Sequence, residues 1–128
     1  MTYPDKLKRR TLMSKPDFDT DQALNAFSAL SQQTRLEVFR LLISAGADGI
    51  AAGDISEQLD VRQNTLSTNL NILVNADLIT RSRQGRSIRY FANFNGLRGL
   101  LKFLMEDCCG GQPEQCEPII TEIACAAC

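Results

Sequence analysis

The chain has 128 residues, with 14 Lys+Arg against 15 Asp+Glu and a net charge of −1. That length suits one domain with short tails, and 44% hydrophobic with 23% charged residues is a globular balance. Histidine is absent, which removes Ser-His and Cys-His nucleophiles, an imidazole general base and His-based zinc sites; this does not exclude an enzyme but takes away its common tools. No stretch approaches the ~20 apolar residues that span a bilayer. The charged N-terminus has no apolar run behind it, so neither a membrane segment nor a secretory leader is expected and the chain reads as cytoplasmic. Charge is strongly segregated. Residues 1–15 hold five basic side chains against one acid, residues 16–60 two against eight, residues 61–95 five against one, and residues 96–128 two against five. A basic block in an otherwise acidic chain suits a nucleic-acid surface; a solvated arginine-rich hairpin is the alternative.

Residues 1–18 lack apolar periodicity and contain Pro4 and Pro16, which predicts a flexible basic arm. A domain is expected over 19–109, followed by a cysteine-containing tail over 110–128. Asp19-Thr20-Asp21 suits the start of a helix, and Leu24, Phe27 and Leu30 are expected to form its buried stripe. Ser31-Gln32-Gln33 interrupts. A second helix is predicted over 34–44, with Leu36, Phe39, Leu42 and Ile43 inward and Gly46 just beyond its end. A short helix from about Asp54 to Leu59 and a tight turn at Asp60-Val61 lead into a helix from about Gln63 to Ala76. At about 100° per residue, Leu66, Leu70, Leu73 and Val74 share one side of that helix, and Asn64, Ser67, Thr68, Asn71 and Asn75 the other. Two short helices joined by a tight turn make a helix-turn-helix.

Strands are predicted from Leu78 to Arg83 and from Ser87 to Ala92 around Gln84-Gly85-Arg86, with Ile79, Ile88 and Tyr90 inward and the arginines outward. A basic hairpin directly after a helix-turn-helix is a wing. Asn95 then suits the cap of a last helix, whose Leu97, Leu100, Leu101, Leu104, Met105 and Cys108 repeat at i, i+3, i+4 and i+7 until Gly110-Gly111. The expected fold is mainly α with a small β-hairpin, a winged helix-turn-helix in the order α-α-α-α-β-β-α.

The polar stripe carries more information than the charges. A solvated helix face normally bears Lys and Glu, which are good helix formers, whereas Asn, Ser and Thr are poorer formers that pair with base edges in the major groove. Gln63, Asn64, Thr65, Ser67, Thr68 and Asn71 are the candidate DNA-reading residues, and Arg83 and Arg86 at the hairpin tip suit phosphates or a minor groove.

The order of elements, the run Gln33-Thr34-Arg35-Leu36-Glu37-Val38-Phe39-Arg40-Leu41-Leu42, the segment Asp54-Ile55-Ser56-Glu57-Gln58-Leu59, Gln63-Asn64-Thr65-Leu66-Ser67 and the Gly85-Arg86 wing resemble the ArsR/SmtB family of metal-responsive repressors over about residues 20–109. The resemblance implies a homodimer paired largely through its first and last helices, which binds double-stranded operator DNA and is released by a metal or metalloid. Leu97, Leu100, Leu101, Leu104 and Met105 are then the dimer candidates. Three departures stand out. The Cys-x-Cys pair typical of arsenic-sensing members is replaced by Ile50-Ala51-Ala52-Gly53-Asp54, the histidines of the zinc sites are missing, and Asp77 stands where the family usually has Gly.

Five cysteines, Cys108, Cys109, Cys116, Cys125 and Cys128, crowd the last 21 residues. Their odd number argues against a disulfide framework. An adjacent pair followed shortly by a third, Cys108-Cys109-x6-Cys116, resembles the atypical arsenic-responsive members, and three thiolates match the pyramidal preference of arsenite. Glu106, Asp107 and the C-terminal end of a helix disfavour thiolates there, which handicaps a divalent metal more than neutral arsenous acid. The expected effector is arsenic(III), with antimony(III) its congener, and no organic cofactor is implied. Cys125 and Cys128 are weaker ligand candidates. Rival readings are the same fold sensing cadmium or an organic arsenical, and a small thiol redox protein built on Cys125-x-x-Cys128.

Overall fold

The fold begins with a reciprocal cap. Asp19 Oδ1 accepts from the Gln22 amide at 2.8 Å while Gln22 Oε1 accepts from the Asp19 amide at 2.9 Å, and these two bonds satisfy donors that a helix start leaves open. The helix they start, α1, spans Thr20–Leu30. In the computed structural model the described residues are 18–105, 117–119 and 121–123. Gln32 Oε1 accepts from the Arg35 amide at 3.0 Å and caps α2, Gln33–Ala45. Gly46, at φ 63°, ends α2 and opens a 3-10 turn over Gly46–Asp48.

Strand β1 (Ile50–Ala51) and α3 (Ala52–Leu59) follow, then α4 (Gln63–Asn75), β2 (Ile79–Gln84), β3 (Ser87–Ala92) and α5 (Phe94–Met105). The sheet is antiparallel in the order β1-β3-β2, with Ile50 opposite Tyr90 and Arg81 opposite Tyr90 on the other edge. Val38, Leu42, Ile55, Leu66, Leu70, Leu73, Leu78 and Ile79 are fully buried between the helices and the sheet. Phe18, assigned from sequence to the arm, is also buried in this core. Residues 117–119 and 121–123 are helical and exposed. No helix among the described residues is long and apolar enough to cross a membrane.

The architecture is the expected winged helix-turn-helix, with several local corrections. In α1 the buried stripe is Ala23, Ala26 and Ala29, while Leu24 is 60% and Phe27 41% exposed. Alanines let α1 lie close to α2, α4 and α5, so its bulky side chains turn outward. Leu36 is likewise exposed at 43%, and Val38 takes the inward place. The two-residue β1 was not foreseen; its residues are too few to show alternation. Asn93, not Asn95, caps α5, its Oδ1 accepting from the Gly96 amide at 3.1 Å. Leu100 is buried in the core of its own chain, which removes it from the dimer candidates. Leu97 and Met105 are half-buried, and Leu101 and Leu104 are exposed.

One tight approach fixes the start of α5. Asp77 adopts φ 62°, the left-handed turn for which glycine is the commoner choice. Its carbonyl accepts from Asn93 Nδ2 at 3.0 Å and lies where a Cβ on Gly96 would come within 2.0 Å. The chain therefore needs glycine at 96 to bring the start of α5 against the turn that follows α4.

Candidate nucleic-acid interface

The turn between α3 and α4 is stitched at both ends. Ser56 Oγ donates to the Val61 carbonyl at 2.5 Å, the Val61 amide donates to the Ser56 carbonyl at 3.0 Å, and Asp60 takes a left-handed conformation between them. These bonds hold α4 at a defined angle to α3.

The amphipathic split of α4 follows from its sequence. Leu66, Leu70 and Leu73 face the core, and Gln63, Asn64, Thr65, Ser67, Thr68 and Asn71 are all exposed. Local bonds order the first turns: Asn64 Oδ1 accepts from the Thr65 amide at 2.8 Å, and Thr68 Oγ1 donates to the Asn64 carbonyl at 3.3 Å. Asn75, at the end of the stripe, lines an open cleft with Asn25 and Ser28 of α1.

One polar residue of α4 faces inward. Asn69 is 7% exposed, and its Oδ1 accepts from Arg35 Nη1 at 2.9 Å, while Arg35 Nε donates to the Ala29 carbonyl near the end of α1 at 2.7 Å. Arg35 thus ties α1, α2 and α4 together and holds the helix whose outer face carries the polar stripe. An Asn inside the run Leu66, Leu70, Leu73 is itself a signal of a buried hydrogen bond. The partner, 34 residues away, could not be read from sequence.

The wing arginines do not behave alike. Arg83 and Arg86 are exposed around Gly85, which turns at φ 66°. Arg89, expected to project outward, is half-buried, and its Nη1 donates to the carbonyls of Asp48 at 3.0 Å and Gly49 at 3.1 Å, tying β3 to the segment before β1. Arg81 reaches back onto α4, its Nη1 donating to Asn71 Oδ1 at 2.9 Å. The Asn71 amide of α4 thus adjoins the Arg81 guanidinium of the wing. Asp77 is the one acid among residues 61–95.

Cys108, Cys109, Cys116, Cys125 and Cys128 lie outside the described residues. Among the described residues no cluster of three His, Cys, Asp or Glu side chains suits a metal ion.

Known proteins match this face and its scaffold. A helix-turn-helix domain family matches residues 30–82. The transcriptional repressor SdpR of Bacillus subtilis is 35% identical over 81 residues, covering 63% of this chain and 87% of the relative. The arsenical resistance operon repressor of the same organism is 37% identical over 83 residues, covering 65% and 75%. Among solved structures, an ArsR-like transcriptional regulator from Rhodococcus sp. RHA1 superposes with a TM-score of 0.61 and 27% identity, over 81% of this chain and 93% of that one.

Proposed function

Since the chain belongs to the ArsR family of winged helix-turn-helix transcriptional repressors, we propose that it is an arsenite-responsive repressor, released from its operator when trivalent arsenic binds Cys108, Cys109 and Cys116. One observation carries this: a chain similar to an arsenical resistance operon repressor has three thiols close together in sequence, at positions 108, 109 and 116. Arsenous acid condenses with three thiols to give three As–S bonds and three molecules of water, so the protons of neutral thiols leave with the hydroxyls. Antimonite shares this chemistry.

DNA binding rests on the exposed face of α4. Gln63, Asn64, Thr65, Ser67, Thr68 and Asn71 offer donors and acceptors to base edges in the major groove, and Arg83 and Arg86 meet phosphates or the adjacent minor groove. The operator-bound form is a homodimer. Leu24 and Phe27 on α1 and Leu101 and Leu104 on α5 leave apolar surface exposed, which a second copy covers. The cysteines follow α5 in sequence, so a metalloid there acts on the same helix that presents Leu101 and Leu104. It moves the equilibrium only by binding the released conformation more tightly than the DNA-bound one.

The test is an operator gel shift titrated with sodium arsenite. Loss of the complex at stoichiometric arsenite, while random-sequence DNA binds weakly throughout, is the expected result. A specific complex indifferent to arsenite would remove the effector and leave the repressor.

A further inference from the structure

We infer that Arg81 sets the base preference of Asn71, by fixing its side-chain amide so that its NH2 donors face the DNA. A free Asn amide offers a carbonyl and an NH2 together, the pair that matches adenine N6 and N7. Here the Asn71 carbonyl is engaged. Its Oδ1 accepts from Arg81 Nη1 at 2.9 Å. Turning the amide over would set its NH2 against the guanidinium, donor against donor, so the bond selects one orientation.

The backbone holds the pair in place. Arg81 stands opposite Tyr90 in the β2–β3 register and shares its sheet face with buried Ile79. Arg81 is nevertheless exposed, and its guanidinium ends on α4. Asn71 is seven residues from Asn64, about two helical turns along the same exposed stripe. With its oxygen turned to Arg81, Asn71 holds its Nδ2 hydrogens away from the guanidinium. Guanine, with N7 and O6 as neighbouring acceptors, matches that display better than adenine, whose N6 amine finds no acceptor.

This inference rests on the DNA-reading role of α4 proposed above, and the experiment separates the two. Operators are selected from a random double-stranded library with the full-length protein and with its Asn71→Ala and Arg81→Ala variants. The position at which Asn71→Ala relaxes the preference identifies the base pair that Asn71 reads. At that position the wild type should prefer guanine. Arg81→Ala should shift the guanine-to-adenine ratio toward adenine by about tenfold, the size of one gained or lost hydrogen bond. An Arg81→Ala variant that keeps the wild-type preference and shows only a shallower salt dependence would make Arg81 a phosphate contact and overturn the inference while sparing α4. An Asn71→Ala variant with no relaxed position overturns it equally. Failure of the wild type to enrich any sequence would overturn the DNA-reading role itself, and this inference with it.

Discussion

Replacing Arg35 with Ala should damage the domain more than a half-buried surface arginine ordinarily would. The change removes two bonds from a charged donor, at 2.7 Å to the Ala29 carbonyl and at 2.9 Å to Asn69 Oδ1. Such bonds contribute about 1.5–3 kcal/mol each, and the partial exposure of Arg35 argues for the low end. Asn69, 7% exposed, is also left with an unpartnered carbonyl. The expected loss is therefore about 3 kcal/mol. Urea denaturation at one fixed protein concentration measures it, since dimer stability depends on concentration. The decisive part is the cycle with Asn69→Ala. Once the orphaned carbonyl is removed the two losses should not add, leaving a coupling of roughly 1–2 kcal/mol. A loss below about 0.5 kcal/mol for Arg35→Ala, or strict additivity in the double variant, would refute the claim that this pair holds α4 in place.

Gly96→Ala should lower the melting temperature although alanine favours helices by about 1 kcal/mol, because the new Cβ would meet the Asp77 carbonyl at 2.0 Å. Overpacking of about 1–3 kcal/mol or more outweighs that gain, and an unchanged or higher midpoint in a thermal melt would contradict the close approach. Phe27→Asp should convert a dimer to a folded monomer at micromolar concentration, with sedimentation giving the mass and circular dichroism the fold; an unchanged mass would take α1 out of the dimer face. Arg86→Ala should weaken operator and random DNA alike and flatten the salt dependence by about one unit. A change confined to sequence preference would make the wing a reader of bases.

Periodicity made most of the fold legible. Leu66, Leu70 and Leu73 against Asn64, Ser67, Thr68 and Asn71 marked both faces of α4, and Gly46 marked the end of α2. The pattern misled in α1, where Leu24 and Phe27 repeat as a core stripe would, yet alanines face inward. Hydrophobicity alone does not distinguish a face packed within the chain from one left exposed. Strand β1, with two residues, carries no readable alternation. The arginines show the other limit. Arg81, Arg83, Arg86 and Arg89 read as one basic patch, but Arg89 serves backbone carbonyls and Arg81 serves Asn71. Such long-range pairings depend on the angle between hairpin and helix, which no local pattern encodes.

The central claim, arsenic sensing through three thiols, is tested most directly by operator-release titrations with arsenite on serine variants. Cys108→Ser, Cys109→Ser and Cys116→Ser should each bind operator normally, since none lies on α4 or the wing, and each should blunt release. Cys125→Ser with Cys128→Ser should respond almost as the wild type does. Release in the wild type should lower operator affinity roughly 5- to 150-fold, the range of an allosteric coupling of about 1–3 kcal/mol. A full arsenite response in Cys116→Ser, with loss of response in the Cys125/Cys128 double variant, would contradict the account and move the third ligand to the end of the chain.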